Sequence, residues 1–235
     1  MTQTDPGPKW VSGDFMYGAI FTPNAQVTKD FFVSLLDWEV ERVESEYAEF
    51  DVVNLSIQHS ICESAGEPDF FVGYYTSDIE SAIRALGDSK VVIKGEYFEE
   101  DGGYTVGLQL STGHHTSLYQ YVDPTKNVAG TRTGQPEVLG VSIPAKDPRQ
   151  YVSDLGTAVG GRRLTDQGTI SETTPSVHLV QAARLHSIPI YRTNDLRGAD
   201  DRVRTLGGTA DESEWTVPDT RLFRDPTGFQ FALGE

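Results

Sequence analysis

The stretch Leu222-Phe223-Arg224-Asp225-Pro226-Thr227-Gly228-Phe229-Gln230-Phe231-Ala232 decides how the rest of the chain is read. An apolar run enters a DPTG turn and leaves as an alternating strand. Pro226 sets φ at the second turn position and Gly228 supplies φ > 0, so the stretch predicts a β-hairpin. A poorer copy lies upstream, where Val106 to Leu110 runs into Ser111-Thr112-Gly113 and out through His114 to Tyr121. Two such hairpins, each closing about half of the chain, point to a duplicated architecture.

Working outward, each half divides again. Residues 1–13 read as a loose arm, with Trp10 as its one large anchor. Phe15 to Thr22 is an apolar strand stopped by Pro23-Asn24, and Asn24 caps an amphipathic helix over Ala25 to Trp38. Strand-like segments follow near Glu39 to Ser45, Glu46 to Val53 and Asn54 to Cys62, which completes a βαβββ unit. The order begins again at Asp69 to Thr76. A helix spans Ile79 to Leu86, with strands at Lys90 to Ile93, Glu96 to Phe98, Thr105 to Leu110 and His114 to Val122. Residues 124–136 carry Pro124, Gly130, Gly134 and Pro136 without apolar periodicity and read as a linker.

In the second half, Val138 to Ile143 is a strand ended by Pro144, and Asp147 caps a helix through Val159. Strands are expected near Arg162 to Leu164, at Val177 to Gln181, at His186 to Thr193, near Trp215 and at Arg221 to Phe223. A helix over Leu196 to Leu206 is capped at Asn194-Asp195. The match of Thr76-Ser77-Asp78-Ile79 with Thr193-Asn194-Asp195-Leu196 is the clearest local repeat between halves.

Composition narrows the function classes. Acidic residues outnumber basic ones 35 to 19, a net charge of −16 that repels nucleic-acid phosphates and anionic membrane surfaces. The one cysteine, Cys62, excludes an intramolecular disulfide framework and reads as a small buried residue. Neither a signal peptide nor an apolar run of membrane-spanning length is apparent, so a cytoplasmic protein is expected, monomeric or a homodimer. No dinucleotide, Walker, nucleophile-elbow or zincin motif is present.

The four βαβββ units, the "TND-L" helix start, the Leu-Gly-Gly stop and the closing "FRDPTGFQFAL" resemble the vicinal oxygen chelate superfamily, which includes glyoxalases, bleomycin-resistance proteins and extradiol dioxygenases. The resemblance covers Phe15 to Leu233. It implies an α+β fold of tandem glyoxalase-like domains, 14–123 and 137–235, in which four βαβββ units form two cup-shaped mixed sheets. It also implies a divalent metal held by His, Gln or Glu at the cup base. Counting to those positions reaches Tyr17, Ser56, Phe71 and Ser117 in the first half and Val138, Ile188 and Ala232 in the second, none of them a good donor for such a metal. No metal and no cofactor are therefore expected.

Residues of the same strand parity share one face of a sheet. In the first half these are Phe15, Tyr17, Ala19 and Phe21; Asp69, Phe71, Gly73 and Tyr75; and His115, Ser117, Tyr119 and Tyr121. This aromatic lining suits a small, flat, aromatic or drug-like ligand, with Phe21, Phe71, Tyr75, Ser117, Tyr119 and Tyr121 as contacts. The second-half set is Val138, Gly140 and Ser142; His186, Ile188, Ile190 and Arg192; Gln230 and Ala232. It is less aromatic, and Arg192 is its candidate polar contact. Two functions follow: sequestration of the ligand, as in antibiotic resistance, or a metal-independent tailoring enzyme. The enzyme would use His115, Asp69 and Tyr17 for proton transfer, with an Asp69–His115 dyad across neighbouring strands. A metal-dependent lyase or dioxygenase with displaced ligands is a weaker third, for which a His59–His178 pair is one ligand set.

Overall fold

The computed structural model describes residues 10–43, 49–87, 89–100, 102–123, 137–160, 168–170, 175–182 and 186–235. The first half runs β1 (Phe15–Thr22), α1 (Ala25–Leu36), β2 (Val40–Arg42), β3 (Phe50–Val52), β4 (Gln58–Glu63), β5 (Asp69–Tyr75), α2 (Ile79–Ala85), β6 (Val92–Glu100), β7 (Gly103–Gln109) and β8 (His115–Tyr121). These are two βαβββ units in one sheet of order β2-β3-β4-β1-β5-β8-β7-β6. Each unit brings its last strand back parallel to its first, β4 on β1 and β8 on β5, and the two first strands meet antiparallel.

The second half repeats the scheme with β9 (Val138–Ala145), α3 (Pro148–Val159), β10 (Ser176–Gln181), β11 (Ile188–Arg192), α4 (Ala199–Thr205), β12 (Thr209–Ala210), β13 (Thr220–Arg224) and β14 (Gln230–Gly234). Its order is β10-β9-β11-β14-β13-β12, with β10 parallel to β9, β11 antiparallel to β9 and β14 parallel to β11. The α+β architecture of four units in two mixed sheets is thus present. The expected strand near Arg162 and the linker 124–136 lie outside the described residues.

Local chemistry explains the boundaries. Asn24, Asp78 and Asp147 cap α1, α2 and α3 by accepting the amides of Val27, Ser81 and Gln150. Helix α1 stops two residues before Trp38 because Asp37 turns left-handed at φ 55°. Helix α4 starts later than its sequence suggests: Asp195 accepts the amide of Gly198, and regular helix begins only at Ala199. The segment around Trp215 is loop, since β13 begins at Thr220. Pro144 does not end β9, which continues beside β10 to Ala145.

The helices and the inner faces of both sheets share one core. Phe32 of α1 meets Tyr191 of β11 at 5.5 Å and Phe231 of β14 at 5.0 Å between ring centroids. Tyr151 of α3 packs edge-on to His114 at 5.1 Å. Two fully buried tyrosines at matching repeat positions, Tyr74 and Tyr191, each find a partner in the opposite half. Tyr74 Oη lies 2.8 Å from Tyr151 Oη, and Tyr191 Oη lies 2.8 Å from His59 Nε2.

The hairpin turns clasp the same seam. Asp225 accepts from the Thr227 and Phe229 amides through one carboxylate oxygen and from Thr28 Oγ1 of α1 at 2.7 Å through the other. In the upstream copy the roles are exchanged. The Ser111 amide and hydroxyl on the turn both donate to Asp154 on α3.

Burial pushes the His59 imidazole down to about 3 from its ordinary 6.5, so it is neutral in the folded protein. The unfolded chain binds that proton first, so the stability due to neutral His59 is complete above pH 6.5 and is lost as pH falls toward 3. Denaturant unfolding at pH 7 and pH 5 tests this. Wild type should lose about 2 kcal/mol more than His59→Leu over that interval.

Candidate functional site

With the inner faces committed to the core, the opposite face of the first sheet carries the partly exposed Tyr17, Phe71 and Ser117 beside the buried Ala19 and Gly73. Tyr17 pairs with Gln58 on β4 and with Gly73 on β5, and Gly73 pairs with Ser117 on β8. These four positions form one row across the sheet. A Cβ on Gly73 would fall 2.9 Å from Ser117 Oγ and 3.1 Å from Tyr17 Cβ, so the glycine leaves room for both side chains beside β5. Tyr17 and Phe71 meet edge to face at 6.2 Å, and both rings are half-buried. Phe21 stands opposite Asp69 and beside Cys62 on the same face.

Tyr75, Tyr119 and Tyr121 lie at the other end of this face. Tyr119 and Tyr121 pack at 5.1 Å and Tyr75 and Tyr121 at 6.3 Å. Trp10 is buried in the same core and hydrogen-bonds Tyr121, while the Gly13 amide donates to the Tyr75 carbonyl. Burial pushes the Tyr75 and Tyr121 hydroxyls up, and both stay protonated. Tyr75 is buried, so this end is a wall rather than open floor. Phe15 leaves the set: a bulge between Phe15 and Tyr17 turns its ring to the inner side, 6.2 Å from Phe70.

The acid–base candidates are arranged differently from their sequence reading. His115 is exposed at the start of β8, opposite Gln109. Asp69 and His115 sit on neighbouring strands, but the imidazole against Asp69 is His186 of the second half, with Nδ1 3.3 Å from Oδ1. Burial is the main cause that holds the Asp69 carboxyl above its ordinary range, opposed by the Phe70 amide and by His186. Arg192 is bound to Glu137 at 2.7 Å within the second half.

The second sheet's outer face is filled. Ile188, Ile190, Leu222 and Ala232 form a separate apolar cluster with Val217, and Trp215 and Leu139 pack against it. Trp215 is held over it by donating to Thr220 Oγ1 at 2.6 Å, and Thr220 in turn donates to the Val217 carbonyl. Beside this plug, His178, Val180, Thr216 and Pro218 bound a shallow cleft of about 220 Å³, below the roughly 300 Å³ at which small-molecule sites begin.

The residues do not fit the superfamily's metal. The first row offers amide, phenol, glycine and hydroxyl, and the equivalent second row is Ser176, Gly140, Ile190 and Ala232. Ser56 is spent on the Val138 amide between the halves. His59 is enclosed by Trp38, Phe70 and Tyr191 while His178 lies by Thr169, so they share no site. Among the described residues, no group of three or more His, Cys, Asp or Glu could hold a metal ion. No helix among them is long and apolar enough to cross a membrane.

Solved structures share this fold. The 2,3-dioxygenase LapB of Pseudomonas sp. KL28 superposes with a TM-score of 0.69 at 12% identity over 95% of this chain and 92% of its own. A catechol 2,3-dioxygenase gives 0.66 at 12% identity over 95% and 88%. The Mn(II)-bound glyoxalase of Novosphingobium aromaticivorans gives 0.68 at 10% identity over 95% and 82%. No protein-family profile and no curated sequence matches the chain. The chain has the vicinal oxygen chelate fold.

Cys62 borders the outer face yet is no nucleophile. Its thiol is buried, and burial, with Asp51 and Glu49 nearby, pushes it up to about 12. Native protein at pH 8 should react with an aromatic disulfide reagent at least about a hundredfold more slowly than unfolded protein. Equal rates would show the thiol to be accessible.

Proposed function

We propose that the chain binds a small, flat, aromatic or drug-like molecule on the outer face of its first sheet, without a metal ion, as a sequestering protein does. The single observation that carries this is the floor row Gln58, Tyr17, Gly73 and Ser117, flanked by the half-exposed Tyr17–Phe71 ring pair. Rings of this kind offer stacking and edge contacts to a planar ligand, and the phenol, amide and hydroxyl groups orient its polar substituents. The Trp10, Tyr75 and Tyr121 wall bounds one end, and Asp69 with His186 bounds the other. A metal-dependent reading would need donors that this row lacks.

A second reading, a metal-independent isomerase, cyclase or lyase, draws on Asp69. Its carboxyl is held up mainly by burial, which moves a carboxylate toward the pH range where it exchanges protons. Tyr17 and His115 border the same face and complete the set expected of such an enzyme.

The test is a thermal-shift and fluorescence titration with planar phenols and naphthols, followed by mass analysis of the recovered ligand. Binding should weaken about tenfold in Tyr17→Ala and in Phe71→Ala and be unchanged in Trp215→Ala. Unaltered ligand supports sequestration, and turnover supports the second reading. Failure of wild type to bind any of the compounds, or affinity indifferent to Tyr17 and Phe71, would remove the first cup from consideration.

A further inference from the structure

The lip of the first cup contains a residue from the other half. His186 enters β11 from the second half, yet its Nδ1 faces the carboxylate of Asp69 on β5 at 3.3 Å. The Ser187 amide also donates to that carboxylate, so the pair of residues 186–187 is pinned to β5. Nδ1 is buried and meets Asp69 as a close polar contact rather than a well-aligned hydrogen bond, whereas the side chain as a whole is 41% exposed and Nε2 lies 3.7 Å from the exposed Glu67. Asp69 stands opposite Phe21 and shares the strand face of Phe71, both of them lining rings of the cup.

A carboxylate close to one imidazole nitrogen stabilises the imidazolium formed when the other nitrogen takes a proton. We propose that Asp69 and His186 form such a pair, and that it accepts the proton of a phenolic hydroxyl on a ligand stacked against Phe21 and Phe71. This rests on the reading of the first cup as the ligand site. The ligand's O–H bond breaks, its electron pair stays on oxygen as phenolate, and the proton bonds to His186 Nε2. Asp69 remains ionised beside the new imidazolium. Among the described residues, the other titratable groups around the pair are Glu67 on the preceding turn and His114 before β8, which senses the Asp69 charge. The substrate class is a planar phenol, and the second half supplies the base to a site whose walls come from the first.

The experiment uses the full chain and 4-nitrophenol, whose phenol and phenolate forms absorb at different wavelengths. Binding is followed by equilibrium dialysis, and the ionisation of the bound probe by its absorbance between pH 5 and 8. In wild type the phenolate-to-phenol ratio of bound probe should exceed that of free probe at the same pH by about tenfold. His186→Gln should return it to the free value, and Asp69→Asn, which keeps the shape of the carboxyl, should lower it partway. Should His186→Gln fail to fold, Asp69→Asn decides alone: an unchanged ratio overturns the pair. Bound probe that ionises like free probe in wild type also overturns the pair and leaves the ligand reading standing. A probe that does not bind at all overturns both.

Discussion

Two buried tyrosine hydroxyls commit the inner faces of the sheets to each other. Tyr74 and Tyr191 occupy matching positions in the repeat, and each points across the seam, one to Tyr151 and the other to His59. A buried hydroxyl without a partner costs about 1–3 kcal/mol, so neither half can present its inner face to water without exposing both an apolar surface and an orphaned polar group. The hairpin turns add reciprocal clasps in which the carboxylate has changed sides, Asp225 on the turn in one copy and Asp154 on the helix in the other. What remains for a ligand is the outer face of each sheet.

Those outer faces have diverged. In the second half the loop before β13 lays Trp215 and Val217 onto Ile190, Leu222 and Ala232, converting a potential pocket into a small core. In the first half the half-buried side chains of Tyr17, Phe71 and Ser117 form the floor. The second half still contributes to the first cup, through His186 on Asp69. One half thus carries the walls, and the other a structural plug together with a residue at the lip.

Features set by local chemistry were legible in the sequence. The DPTG hairpin follows from the φ demanded of Pro226 and Gly228, the latter at φ 92°, and three of the four described helices start at Asn or Asp caps. Strand parity placed Tyr17, Phe71 and Ser117 on one face because period two holds along an unbroken strand. It failed at Phe15, where a bulge reverses the count. Trp215 looked like strand because aromatic residues favour sheets, whereas its burial depends on residues of other strands that no local window contains. The Asp69–His186 contact was hidden for the same reason. The Tyr74–Tyr191 correspondence was within reach, since extending the Thr-x-Asp match two residues upstream in each half finds both tyrosines.

The central claim is that this fold binds its ligand here through rings and hydroxyls in place of a metal. Metal dependence tests it most directly, by measuring the affinity for a bound planar phenol in chelator-treated protein and again after adding Mn²⁺, Fe²⁺ or Zn²⁺, with elemental analysis of each sample. The account predicts the same affinity throughout and no stoichiometric metal. Affinity lost on chelation and restored by one of these ions, with one ion bound per chain, would contradict it.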